Sequence, residues 1–94
     1  MSVQISVPTA LRGYTESKAV VAVDGATVKE ALDALTERYP ALARHLRDAS
    51  GKLRTFVNVY LNDEDIRYLP ERDATALRDG DNLIIVPSIA GGVT

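Results

Sequence analysis

The chain predicts an α+β domain, a mixed sheet of four to five strands with one main helix packed on one face. Three observations lead there. Val28, Ala31, Leu32, Leu35 and Tyr39 recur at the spacing of one face of a helix. Several short runs either alternate apolar and polar residues or are continuously apolar and β-branched, as strands are. The signals run strand, strand, helix, strand, strand, strand, an order that lays a single helix across one sheet.

Val3-Gln4-Ile5-Ser6-Val7 alternates with the period of a half-buried strand, Val3, Ile5 and Val7 facing inward, and Pro8 ends it. Residues 9–17 read as a loop in which Leu11 and Tyr14 can pack. Ala19 to Val23 is a second, β-branched run, so the first two strands form a hairpin. Asp24-Gly25 breaks the chain, and Thr27-Val28-Lys29-Glu30 is a capping box. The Thr27 hydroxyl accepts from the Glu30 N–H, and the Glu30 carboxylate from the Thr27 N–H. Pro40 stops the main helix, and residues 41–47 form a short second helix with Leu42 and Leu46 four apart. After a loop at Ser50-Gly51-Lys52, residues 55–61 carry the longest strand signal. Val57, Val59 and Leu61 share one face; Phe56, Asn58 and Tyr60 share the other. Asn62 to Asp65 is an acidic turn, Ile66 to Leu69 a short return strand, and residues 70–78 a connection with one helical turn around Ala74–Leu77. Asp79-Gly80-Asp81 is a tight turn into the apolar run Leu83-Ile84-Ile85-Val86, which ends at Pro87. The ubiquitin-like β-grasp has this order and puts the final strand in the middle of the sheet. Residues 1–87 are the expected domain and 88–94 a flexible C-terminal tail.

Composition narrows the function. Ninety-four residues make one domain, and a net charge of -2 gives no basic surface for a nucleic-acid backbone. There is no cysteine, which excludes disulfides and thiolate chemistry. No apolar run approaches a membrane span, and no signal pattern opens the chain, so a cytoplasmic protein with no membrane partner is expected. His45 is the only histidine and reads as a partly exposed surface residue. The Asp63-Glu64-Asp65 cluster lacks the alternating ligands and central glycine of a calcium loop, and no glycine loop opens a helix to cradle phosphate. The expectation is no catalytic residue, no metal and no bound cofactor.

Two features remain. The tail Ser88-Ile89-Ala90-Gly91-Gly92-Val93-Thr94 carries a Gly-Gly pair within its last four residues, a roughly 1–2% coincidence at average glycine usage. The second is a surface: with Leu83 and Ile85 directed inward, Ile84 and Val86 face outward beside Phe56 and Tyr60. One helix covers one face of a sheet and leaves the other to water or a partner. Phe56, Tyr60, Ile84 and Val86, with Ser88, Ile89 and Ala90 at the root of the tail, are the predicted partner-binding residues.

Phe56 to Arg67, the Asp79-Gly80-Asp81 turn before Leu83 to Pro87, and Ala90-Gly91-Gly92 together resemble the MoaD/ThiS sulfur-carrier family. The Asn62-Asp63-Glu64-Asp65 stretch, the opening Val3 to Thr9 and Leu11-Arg12 resemble its CysO-like branch. The resemblance spans nearly the whole chain. It implies that the Gly92 carboxyl is adenylated by an ATP-dependent activating enzyme, which itself uses the ATP, and that sulfur then displaces AMP to leave a thiocarboxylate. It also implies a sulfur-accepting synthase, cysteine synthase-like or thiosugar synthase-like. Gly91 and Gly92 suit the task, because glycine leaves the carbonyl open and the backbone free. Ser88 to Gly92 extends to roughly 17 Å, enough to thread a channel. Val93 and Thr94 follow Gly92, so a processing peptidase is expected to cut between Gly92 and Val93. The resemblance also leaves open the small subunit of molybdopterin synthase, and the tail allows a modifier forming isopeptide bonds or a binding module with an inert tail.

Overall fold

The alternating and apolar runs form five strands: β1 (Ser2–Ser6), β2 (Val20–Asp24), β3 (Val57–Leu61), β4 (Glu64–Asp65) and β5 (Asn82–Pro87). They make one sheet in the order β2-β1-β5-β3-β4. The computed structural model describes residues 2–55 and 57–87. β5 lies in the middle, parallel to β1 and antiparallel to β3, while β1–β2 and β3–β4 are antiparallel hairpins. This is the predicted β-grasp.

Helix α1 (Val28–Arg38) turns Val28, Ala31, Leu32 and Leu35 onto the sheet, and Tyr39 at its C-cap is buried beside them. They meet Val3 and Ile5 of β1, Val21 and Val23 of β2, Val57 and Val59 of β3, and Leu83 and Ile85 of β5 in one core. Pro40 both stops α1 and opens α2 (Pro40–Leu46), where its missing N–H is no loss. Leu42 and Leu46 close the core from that side. Asp33 on α1 binds Lys29 on its own helix and Arg47 beyond α2. Lys29 first and Arg47 after it hold the Asp33 carboxyl below its ordinary value, against burial, which raises it.

The N-terminus of α1 is capped as predicted on one side: the Glu30 N–H donates to the Thr27 hydroxyl at 3.2 Å. The return bond differs. The Glu30 carboxylate accepts from the Ala26 N–H at 3.1 Å, not from Thr27. Thr27 is drawn into an antiparallel bridge with Ala76, which sets the entry of the chain and brings the Ala26 N–H within reach. Gly25 is required there, since a Cβ would lie 2.7 Å from the Ala31 nitrogen.

Two connections differ from the sequence reading. The return strand is Glu64–Asp65, not Ile66–Leu69, because Asn62 and Asp63 alone make the turn, with φ of 47° and 78°. Two successive left-handed residues give the tight hairpin whose twist matches its strands, and Asn and Asp tolerate them best after glycine. Asp65 then accepts from the Arg67 N–H at 2.9 Å and turns the chain into a 3₁₀ turn over Ile66–Tyr68. The helical turn expected around Ala74–Leu77 lies earlier, at Arg72–Ala74, because Ala76 is taken into the bridge with Thr27 and Leu77 into the core.

Asp63→Gly relieves a left-handed side chain at the second turn position. It is expected to stabilise the domain by about 0.5 kcal/mol, read as a higher denaturant midpoint at unchanged slope. A lower midpoint would show that the Asp63 side chain supports the turn.

Candidate functional site

The site is built on β5 and its root. Asp79-Gly80-Asp81 delivers the chain into the centre of the sheet. Gly80 takes a φ of 89°, open to glycine and strained for other residues. Its N–H donates to the Ser2 carbonyl at 2.8 Å, and the Ser2 N–H donates to Asp79 Oδ1 at 2.8 Å. Asp81 accepts from the Arg78 N–H at 2.8 Å and from the Asn62 amide at 3.0 Å. Those bonds, Arg78 first, hold its carboxyl below the ordinary value. The entry to β5 is thereby pinned to the N-terminus and to the β3–β4 hairpin.

The alternation along β5 falls as predicted. Leu83 and Ile85 are buried, Ile84 is half-buried and Val86 exposed. Tyr60 stands directly opposite Ile84, and Asn58 opposite Val86. Because register partners share a face, Val20, Ser6, Ile84, Tyr60 and Asp65 form one row across the sheet away from the helices. The apolar surface is thus a narrow stripe with polar flanks. It brings together the predicted Tyr60, Ile84 and Val86. The other predicted site residues, Phe56, Ser88, Ile89, Ala90, Gly91, Gly92 and Val93, lie outside the described residues, as does Thr94.

One residue here was missed in the sequence, and the burial of a second, Asn58, was not foreseen although its face was. Arg12 lies on a 3₁₀ turn (Thr9–Tyr14) that folds back along β1, and its Nε donates to the Val7 carbonyl at 3.0 Å. It walls an open groove of about 310 Å³ with Ser6, Pro8, Ile84, Val86 and Pro87, which ends where the chain leaves β5. Asn58 carries a buried Oδ1 with no hydrogen bond among the described residues. Arg12 has no local sequence signal, since its place arises from a long-range fold-back; the face of Asn58 follows from alternation along β3, while its burial depends on strand register.

His45 is half-buried, its ring against that of Tyr14 with centroids 4.3 Å apart, so both pack one helix end onto the 3₁₀ turn. Among the described residues no group of three His, Cys, Asp or Glu side chains could hold a metal ion. Nor is any described helix long and apolar enough to cross a membrane.

The model of the ThiS family matches residues 5–92. The chain belongs to the ThiS family. Sulfur carrier protein CysO of Mycobacterium tuberculosis is 42% identical over 94 residues, 98% of this ThiS-family chain and all of the relative. The crystal structure of the Amycolatopsis orientalis BexX/CysO complex contains a chain that superposes with a TM-score of 0.85 at 40% identity, covering 96% of this chain and 99% of that one. Small archaeal modifier protein 3 of Haloferax volcanii is 39% identical over 69 residues, 73% of each protein. The chain is therefore a homologue of the sulfur carrier CysO within a group of ubiquitin-like proteins.

Among the described residues the buried Asn58 Oδ1 has no partner, and an acceptor so placed opposes folding. Asn58→Leu, close in shape and without the polar atoms, is expected to raise the unfolding free energy by about 1 kcal/mol, measured by chemical denaturation. A loss of stability would show that the amide is bonded in solution.

Proposed function

We propose that this ThiS-family chain is a sulfur carrier loaded at Gly92. The reading rests above all on the family match, which runs to residue 92 and leaves Val93 and Thr94 beyond it. The chemistry requires Gly92 to be the terminus, so a peptidase first removes Val93-Thr94. An ATP-dependent activating enzyme then presents the α-phosphorus of ATP to the Gly92 carboxylate. A carboxylate oxygen attacks, pyrophosphate leaves, and an acyl-adenylate forms. A sulfur nucleophile at the sulfide level adds to that carbonyl and expels AMP, leaving the thiocarboxylate. The carrier contributes no catalytic group and binds no cofactor of its own. It contributes an unobstructed carbonyl at Gly92, conformational freedom at Gly91, and a fixed root at Pro87.

The acceptor is a biosynthetic synthase, making cysteine or another sulfur metabolite such as a thiosugar. That the Amycolatopsis CysO is found in a complex with BexX supports an encounter of this kind between two folded proteins. The stripe of Tyr60, Ile84 and Val86 is the docking face, continued by Ser88, Ile89 and Ala90. Such a carrier works in the cytoplasm, where ATP and the activating enzyme are.

A second reading has its own support. The 39% identity to a small archaeal modifier protein favours a carrier whose Gly92 carboxyl also forms isopeptide bonds to lysines. High-molecular-weight adducts carrying this chain would mark that outcome, and a small sulfur-containing product the first.

Intact mass of the protein purified from its own host is expected to show a species ending at Gly92, heavier by the difference between sulfur and oxygen. A homogeneous species ending at Thr94 would overturn the reading. Gly92→Ala is expected to remove loading without changing the thermal midpoint.

The docking face has a separate test. Tyr60→Asp and Val86→Asp put a charge into the stripe, and each is expected to weaken binding to the activating enzyme by about tenfold, ~1.4 kcal/mol, in calorimetry. Undiminished binding would remove this face from the account.

A further inference from the structure

The charges of this protein are segregated along β5. Beside the loop between α2 and β3 lies an open hollow of about 560 Å³ walled by Lys29, Lys52, Arg67 and Arg72, with Asp73 its single acid. A second hollow of about 450 Å³ shares Gly51 with it and is walled by Arg44, Arg47 and Arg54, with Asp48 its single acid. Together they hold seven of the chain's 11 Lys and Arg residues against two lining acids, and Asp33 beside them pairs with Lys29 and Arg47 and offsets part of that charge. The opposite end of the sheet, where β5 begins, carries Asp79 and Asp81 in its turn, Asp24 at the end of β2, and Asp63 and Glu64 in the hairpin.

On its Arg67 side this basic region reaches the Pro87 end of β5. Arg67 Nη2 donates to the Thr55 carbonyl at 2.7 Å and the Val57 carbonyl at 2.9 Å, and Val57 is the register partner of Pro87. Arg12 stands on the other side of the exit, in the groove wall with Val86 and Pro87. Carbonyl acceptors hold these guanidinium groups in place without neutralising them. Asp48 is engaged by the Ser50 and Lys52 N–H groups, at 2.9 and 3.2 Å. Among the described residues the side chains of Lys52 and Arg72 make no hydrogen bond or ion pair.

We propose that this basic end is a docking collar for an acidic protein surface rimming the channel that receives the tail. The proposal rests on the carrier reading and adds the chemistry of the partner. A field positive at the exit and negative at the far end turns the molecule tail-first toward an acidic mouth before contact, and acts mainly on the association rate. An acidic rim meets only the basic end. A long polyanion such as nucleic acid would run past it along a body of 36 × 30 × 25 Å that is net negative.

The full-length chain, labelled with nitrogen-15, is titrated with a short polyglutamate peptide and separately with an oligothymidylate of equal charge. The expected result is amide shifts with polyglutamate confined to residues 48–54 and 67–73, lost as sodium chloride rises to about 0.3 M. Lys52→Glu combined with Arg72→Glu is expected to abolish them while leaving the remaining spectrum folded. It should also slow Gly92 loading by a sub-saturating activating enzyme about tenfold at low salt. Absent shifts, shifts spread over the acidic end, or tighter binding to the oligothymidylate would each overturn the proposal. The two readings fail separately. No loading in the wild type with peptide binding intact overturns the carrier reading and leaves the collar. Equal loading rates and salt dependence in wild type and double variant overturn the collar and leave the carrier.

Discussion

The structure depends on one constraint: β5 is flanked on both edges, by β1 as far as Ile84 on one side and by β3 out to Pro87 on the other. A strand in that position cannot peel away without breaking two ladders. Its inward side chains, Leu83 and Ile85, are fully buried against the helices, each worth roughly 1.5–3 kcal/mol. The parallel pairing with β1 also forces most of the chain to cross over between the two strands, so the helices, the loop after α2 and the β3–β4 hairpin form one long connection. The turn at Asp79–Asp81 fixes where that connection ends, by bonds to Ser2 and Asn62. Pro87, paired with Val57, is therefore held at a fixed place on the sheet.

The flanks of the sheet show the same economy. β4 is two residues long, and the first half of β3, Val57 to Val59, has no strand on its outer edge. Arg67 covers that half by donating to the Thr55 and Val57 carbonyls. On the opposite edge Arg38 reaches from α1 to the Ala22 carbonyl at 3.1 Å. Exposed strand edges invite pairing with other chains, and a charged side chain over the unpaired carbonyls discourages it. Both edges are guarded by arginine, which favours recognition through the sheet face and the basic end over strand addition.

Much of this was legible in the sequence because it is periodic or punctuated. The 3.6-residue recurrence from Val28 to Tyr39 gave α1 and its buried face, and Thr27 with Glu30 marked its start. The apolar run closed by Pro87 gave β5, and alternation along it assigned Leu83 and Ile85 inward and Ile84 and Val86 outward. The features that were not legible depend on partners distant in sequence. Ile66 to Leu69 has the composition of a strand, yet the two left-handed residues Asn62 and Asp63 begin the return strand earlier, and Asp65 bends the chain away from it. Glu30 binds Ala26 instead of Thr27 because Ala76, far along the chain, claims Thr27. Arg12 reads as an ordinary loop arginine until the 3₁₀ turn sets it beside Pro87. The basic end escapes a net charge of -2, since that figure averages two opposite poles.

On the proposed reading, those poles bear on why a carrier of a reactive terminus should be a folded domain. Threading residues 88–92 through a partner's channel fixes their backbone, at roughly 1–2 kcal/mol per residue. The small side chains around a glycine pair bury little area to offset that, so the binding energy has to come from the body of the protein. A docked body also holds the reacting carbonyl near its target, which makes the encounter intramolecular and removes part of the entropic barrier. In the proposed encounter the stripe of Tyr60, Ile84 and Val86 would supply contact on one side of the root, and the basic end long-range attraction around it. β5 joins the two to Pro87 without slack. On this argument the fold is selected for the rigidity of a single point, and the surfaces around that point decide which partner receives the tail.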